Sequence, residues 1–225
     1  MTRARIGKLA ITAPVTALLF DGDHNILYIG SGGQLLVYAC VGLQNEEINA
    51  SRIGPINLFD THSIHGIKSI GKTHPKVVAF GGKAACVATI KSRDSNIADY
   101  HDLDVTTNMQ NLDDLVLDCI VVNDLLLIGF AHNFIDIMSE EKERGKYIRT
   151  CRVQCVDISA LFSLSIVAAS IGESRNGSSQ VLVASGTAFG KIILWNFDST
   201  RNEELIAASS PTVKASDILR GHEGV

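Results

Sequence analysis

Several side-chain groupings in this sequence are of types that perform chemistry. His62 and His65, three residues apart in His62-Ser63-Ile64-His65-Gly66, have the imidazoles of a metal pair or a general base. A zinc site needs three or four ligands, and no Cys or third His falls at fitting spacing, so neither metal nor catalysis is read there. Gly30-Ser31-Gly32-Gly33 and Gly81-Gly82-Lys83 have phosphate-loop composition. Both lack the Lys-Ser/Thr ending and run into strand-like sequence, leaving no helix N-terminus to meet a phosphate. Ser185 beside Gly186 is not framed as Gly-x-Ser-x-Gly and precedes a strand, which excludes a nucleophile elbow. Asp113, Asp114 and Asp118 are read as a charged turn. The remaining imidazoles, His24, His74, His101 and His132, occupy turn-like contexts and are expected to be solvated. No Gly-rich loop of the S-adenosylmethionine type follows a first strand, and no βαβ alternation is present to hold one. The expectation is a chain that is no enzyme and carries no catalytic residue, cofactor or metal.

Those residues lie among short apolar runs rich in Val, Ile, Leu and Ala, divided by Gly, Asn, Asp or Ser clusters, the pattern of strands and turns. The first set is Val15 to Phe20, Ile26 to Gly30 and Leu35 to Cys40; the second is Ile67 to Ile70, Val77 to Gly81 and Ala84 to Ile90. The third is Leu115 to Val122, Leu125 to Phe130, Phe134 to Met138 and Cys151 to Ile158; the fourth is Leu164 to Ile171, Val181 to Ser185 and Lys191 to Phe197. Charged stretches, Ser139 to Lys146 and Asp198 to Glu204, read as solvated loops, with room for one helical turn at Glu140 to Arg144.

The sets recur about every 45 to 55 residues and share one grammar, a strand ending in Gly or Ser-Gly, a tight turn, then a strand closing on an apolar residue. Gly30, Gly81, Gly129 and the Ser185-Gly186 pair mark the equivalent place in the four units. Glycine there is expected to let the chain reverse tightly. An all-strand repeat of this period is the signature of a β-propeller, each unit a four-stranded blade; a β-sandwich with regular hairpins is the alternative. The units fall at about 15–60, 64–110, 114–158 and 162–205, with 217–225 opening a further blade.

Ser185-Gly186-Thr187-Ala188-Phe189-Gly190-Lys191-Ile192-Ile193-Leu194-Trp195-Asn196 resembles the second-to-third-strand hairpin of a WD40 repeat. Leu219-Arg220-Gly221-His222-Glu223-Gly224-Val225 resembles the Gly-His opening of the next, and His65-Gly66 a degenerate form of it. In a full WD40 unit a turn Asp, a strand Ser or Thr, the Gly-His imidazole and the Trp form a hydrogen-bonded set. With Ala188 in the turn and Asn196 after Trp195 that set is incomplete, and stiffening is expected mainly from packing. His62-Ser63-Ile64-His65-Gly66-Ile67, Val78-Ala79-Phe80-Gly81-Gly82-Lys83 and Ala184-Ser185-Gly186-Thr187-Ala188-Phe189-Gly190 together resemble the N-terminal region of the WD repeat-containing protein 6 family. That resemblance implies the N-terminal part of a WD40-type β-propeller, about four blades and incomplete. It also implies a non-catalytic adaptor for the tRNA ribose 2'-O-methyltransferase acting at the anticodon wobble nucleotide, with tRNA met through the complex. A general WD40 scaffold, in trafficking or a ubiquitin ligase, is the alternative. Family members are longer and form more than one propeller, so the last blade is expected to have an unprotected face and the chain alone to be poorly soluble.

The chain has 225 residues, 46% apolar and 20% charged, enough to bury about 70% of its unfolded surface without disulfides or metal. A net charge of -4 argues against a whole-surface nucleic-acid binder, which needs a run of cations facing phosphate. Arg3, Arg5, Lys8, Lys68, Lys72, Lys76, Lys142, Arg144 and Lys146 are available to RNA, and a solvated face accounts for them equally well. Cys40, Cys86, Cys119, Cys151 and Cys155 contain no C-x-x-C pair and read as reduced core thiols of a cytoplasmic protein, Cys151 and Cys155 on one strand face. Arg3, Arg5 and Lys8 before Leu9 to Phe20 imitate a signal peptide, but Thr12, Pro14 and Thr16 interrupt it and no small-residue cleavage site follows. Gly30, Gly32, Gly33 and Gly42 break the longest uncharged stretch, so no membrane span is expected.

Overall fold

Alternation of apolar and polar residues with a period of two commits a segment to a strand, because successive side chains point to opposite faces. A computed structural model describes residues 13–41, 49–71, 74–92, 103–122, 124–141, 146–170, 179–198 and 212–220, and among these every regular element is a strand. The first sheet holds β1 (Val15–Asp21), β2 (Ile26–Ser31), β3 (Gln34–Val41) and β4 (Asn49–Asn57) in that order. The second holds β5 (Gly66–Ser69), β6 (Lys76–Gly81), β7 (Ala84–Ser92) and β8 (Leu103–Asn111). The third holds β9 (Val116–Val122), β10 (Leu125–Phe130), β11 (Phe134–Glu141) and β12 (Lys146–Cys155). β16 (Thr212–Val213) pairs parallel to the outer edge of β12. The fourth holds β13 (Leu161–Ser170), β14 (Ser179–Thr187), β15 (Lys191–Asp198) and β17 (Asp217–Arg220). Apart from β16, every pairing is antiparallel.

The first strands begin at Val15, Gly66, Val116 and Leu161, in keeping with the repeat period read from the sequence. The sequence misses the outermost strands β4 and β8. β4 contains Gly54 and Pro55, which only an edge strand tolerates, and β8 shows Thr106, Thr107 and Met109 to solvent. An edge strand buries little, so its sequence need not alternate. Two other expectations are corrected. Asp217–Arg220, read as part of a further unit, pairs with β15 and completes the fourth sheet, Ile193 facing Ile218. Ser139, Glu140 and Glu141 are not loop or helix; they extend β11, with Glu140 opposite Tyr147 and Glu141 opposite Lys146. Residues 142–145 and 199–204 of those charged stretches lie outside the described residues.

The chain divides into two compact units, Met1–Asn111 and Leu112–Val225. In the first, Ile26, Tyr28, Leu35 and Val37 pack with Ile67, Val77, Ala79, Cys86 and Ile90. In the second, Leu127, Ile135, Ile137, Cys151, Val153 and Cys155 pack with Leu164, Ile166, Val181, Val183, Ile193 and Trp195. Cys151 and Cys155 thus share one buried strand face.

The marker glycines owe their identity to close approach, not to chain reversal. A Cβ on Gly30 would lie 2.9 Å from Ile64 Cγ2, and one on Gly129 2.5 Å from Leu164 Cδ2, so a residue just ahead of β5 rests on bare backbone in the first unit and one on β13 in the second. A Cβ on Gly81 would collide with the Ser63 carbonyl. The reversals are made by the residues after them, Gly32 and Gly82 at φ 56° and 55° and Asn133 at 59°.

Candidate functional site

Neighbouring sheets within each unit are joined by polar contacts between residues 48 apart in sequence. Thr16 Oγ1 on β1 donates to the Ile64 carbonyl. Ser69 Oγ donates to Asp21 Oδ2 at 2.9 Å, and in the second unit the Ile166 amide donates to Asp118 Oδ2 at 2.9 Å. Asp118 is therefore a buried member of β9 and not part of a charged turn. Asp113 is exposed, and Asp114 accepts from the amide and Nδ1 of His132 at 3.1 and 2.8 Å. Burial pushes the Asp114 carboxyl up, and its hydrogen bonds from His132 and Leu115 outweigh that and hold it below the usual range. His24 is also not solvated, being largely buried with Nδ1 3.0 Å from Asp21 Oδ2. Burial raises the Asp21 carboxyl, but His24 and Ser69 together bring it below its ordinary value.

The largest buried polar cluster centres on Trp195. Its Nε1 donates to Asn133 Oδ1 at 3.2 Å and to Ser185 Oγ at 3.3 Å, while Ser185 Oγ donates to Asn133 Oδ1 at 2.7 Å. Asn133 Nδ2 donates to the Asp157 carbonyl at 2.6 Å. Asn133, Ser185 and Trp195 are fully buried. Asn133, which sequence reasoning missed, thus completes a buried hydrogen-bonded set with Ser185 and Trp195, beside the packing expected to stiffen the blade. Asn133 lies in the β10–β11 turn, 52 residues before Ser185. Its sequence signal is an Asn where φ is positive, a position Asn tolerates.

A second cluster lies on the third sheet. Arg152 Nε and Nη2 meet the buried Asp136 carboxylate at 2.7 and 3.0 Å, and the guanidinium stacks 4.0 Å above the Phe134 ring. Arg149 stands 3.6 Å from the same carboxylate. The hydrogen bonds that Arg152 donates to Asp136 raise its pKa further. Both carboxylate oxygens are engaged, which suits a structural pair and not a proton shuttle.

The other residues singled out from sequence scatter. His65 donates its amide to the Phe80 carbonyl at 2.8 Å and exposes its ring, and Gly66 lies under the Phe80 ring. Gly186 faces Ser163, and Gly190 takes a turn at φ 75°. Gly221 and His222 lie outside the described residues, as do His101, Arg3, Arg5, Lys8, Lys72, Lys142 and Arg144. His74 and Lys146 are exposed, and Lys68 and Lys76 have interaction partners. Among the described residues no group of three or more His, Cys, Asp or Glu could hold a metal ion, and no helix is long and apolar enough to cross a membrane.

The surface of the fourth sheet is unusually apolar. Val181, Val183, Ile193 and Trp195 face the core, while on the opposite face Val167 pairs with Leu182 and Ile192 with Leu219, all four exposed. Phe162 and Phe189, at the end of that sheet where Leu161 pairs with Thr187, are each 80% exposed.

No family model matches the sequence, and no curated protein matches it. Among solved structures the chain is similar to Saccharomyces cerevisiae Sqt1, with a TM-score of 0.55 and 9% identity over 83% of this chain and 46% of that one. It also aligns with BBS1N, solved in complex with ARL6DN, at a TM-score of 0.49 and 8% identity over 88% of this chain and 49% of that one. The chain therefore spans about half the length of the structures it matches. Four antiparallel meanders without a helix among the described residues, together with the likeness to Sqt1, define a β-propeller fold.

Proposed function

We propose that this chain is a non-catalytic adaptor whose blades dock another protein, and that this protein is the catalytic subunit of the tRNA ribose 2'-O-methyltransferase acting at the anticodon wobble nucleotide. The docking part is supported by one observation above others. Phe162 on β13 and Phe189 in the β14–β15 turn stand out to solvent at one end of the sheet whose inner face carries Trp195, Val183 and Ile193. Rigid, exposed aromatic side chains bind with little entropic cost, which is what an interaction surface needs. The choice of methyltransferase rests on the stretches around His62, Val78 and Ala184 that resemble the WD repeat-containing protein 6 family. In that role the chain supplies positioning, the bond chemistry and the tRNA contact being reached through the partner in the cytoplasm. Affinity purification of the tagged chain is expected to recover a 2'-O-methyltransferase, and deletion of its gene to lower ribose methylation at the wobble nucleotide. Normal methylation in the deletion strain refutes the methyltransferase role and leaves a scaffold for trafficking or ubiquitin transfer.

A further inference from the structure

We propose that β8 of the first unit is a docking edge for β8 of a second copy of this chain, the two strands pairing antiparallel about a two-fold axis at Thr107. β8 closes the second sheet, and among the described residues no strand pairs with its outer side. A strand edge carries a row of N–H and C=O groups that a further strand can bond. Folded proteins ordinarily blunt such an edge with charge, proline, a short strand or a cover.

The other three outer edges are blunted in those ways. β4 contains Arg52, Gly54 and Pro55. β12 carries Lys146, Arg149 and Arg152, and β16 covers its end. β17 is four residues long and includes Asp217 and Arg220. β8 runs nine residues, Leu103–Asn111, without Pro, Gly, Lys or Arg, and Asp104 near its start is its one charged residue. The pairing of β16 with β12 shows that an outer edge of this chain accepts a further strand.

The phase of the backbone decides what fits. The Ile90 amide donates to the Pro75 carbonyl at 2.9 Å, so Ile90, and by alternation Ala88 and Cys86, bond toward β6. Val87 and Thr89 therefore bond toward β8, where they face Asn108 and Thr106. That register runs without a bulge, so Val105, Thr107 and Met109 turn their own N–H and C=O to the outer side. Thr107 is the middle residue of the strand and belongs to this outward set. An axis there sets Thr107 against the partner's Thr107 and Val105 against the partner's Met109, each pair exchanging both backbone hydrogen bonds. The strands then overlap over their whole length, which no other axis position allows.

The side chains agree with this register. It makes a Thr–Thr pair at the axis and an apolar Val–Met pair on either side, both favourable across strands. Thr106 and Thr107 are exposed, and Met109 is 43% exposed in the single chain. Asp104 falls opposite the partner's Gln110, so no like charges are opposed. An isologous contact of this kind closes on itself and yields a dimer, not a filament. The inference goes beyond the adaptor reading and does not rest on it.

Sedimentation equilibrium of the full chain is expected to show a species of twice the 24.2 kDa chain mass. Thr107→Pro deletes an outward N–H and no bond to β7, while Thr107→Lys opposes two cations at the axis. Each should raise the dimer dissociation constant at least about tenfold, with the far-UV circular dichroism of the native chain retained. An equimolar mixture of the Thr107→Lys and Thr107→Asp chains should dimerise more tightly than either alone, which misfolding cannot produce. Thr107→Cys stands about 5.5 Å from its mate between Cα atoms, within disulfide reach, so mild oxidation should give a covalent dimer that the native chain does not form. A native chain that sediments as a monomer at every concentration, assembly beyond the dimer, or a dimer indifferent to Thr107→Lys and not linked through Thr107→Cys overturns the assignment.

Discussion

Asn133→Gly is the substitution that most directly tests how the fourth blade is held. Asn133 adopts φ 59°, which glycine also adopts without strain, so the change removes the carboxamide and spares the backbone. Three hydrogen bonds go with it, from Ser185 Oγ at 2.7 Å, from Trp195 Nε1 at 3.2 Å and to the Asp157 carbonyl at 2.6 Å. A net contribution of about 1 kcal/mol each gives about 3 kcal/mol, and a buried group left without a partner adds to it. Trp195 Nε1 keeps Ser185 Oγ at 3.3 Å, which limits that addition. The extra freedom glycine gives the unfolded chain costs about 0.5 kcal/mol more. The expected loss is about 3–4 kcal/mol, a fall of about 1.5–4 M in the urea midpoint for a slope of about 1–2 kcal/mol per molar. The chain has one tryptophan, so its fluorescence during urea unfolding reports on this site directly. Ser185→Ala on the glycine background should then cost less than on the native one, because the two side chains share a hydrogen bond. A loss below about 1 kcal/mol, or strict additivity of the pair, refutes the view that this buried set stiffens the blade.

Three further expectations concern single groups. Arg152→Met leaves the Asp136 carboxylate buried with only Arg149 at 3.6 Å, and should cost about 3 kcal/mol in thermal unfolding, whereas Asp136→Leu with Arg152→Met should restore most of it. Equal destabilisation of the single and double variants would show that the charge pair is not the cause. The folded-state pKa of Asp21 lies below its ordinary value of 3.8, so its ionised form stabilises the native state above that pH. The stability gap between the native chain and Asp21→Asn should be full near neutrality and close as pH falls through the depressed value, and a gap that widens in acid contradicts the assignment. Burial pushes the Cys86 thiol up to about 11, so at pH 8 iodoacetamide should label it only after denaturation, as read by mass spectrometry.

Much of the architecture was legible because sheet meanders are local. The runs Ile26 to Gly30, Val77 to Gly81, Leu125 to Phe130 and Val181 to Ser185 are short, near-continuous apolar stretches, since each is an inner strand buried on at least one face, and all four are strands. β4 and β8 escaped notice because they are edges with little to bury. The markers Gly30 and Gly129 were visible while their cause was not, since Ile64, just ahead of β5, and Leu164, on β13, press on them from more than thirty residues along the chain. Asp118 read as one of three neighbouring acids, but the alternation of β9 turns it inward toward the Ile166 amide while Asp113 stays in solvent.

By itself the sequence determined the strands, the repeat of about fifty residues and the one hairpin that carries both Ser185 and Trp195, because each depends on apolar patterning and turn chemistry within a few residues. The tertiary structure alone decided that Asn133 completes the hydrogen bonds of Trp195 and that Arg152 closes on Asp136. Those partners lie 62 and 16 residues apart, and only the stacking of one sheet on another, or the ladder register within a sheet, brings such positions together.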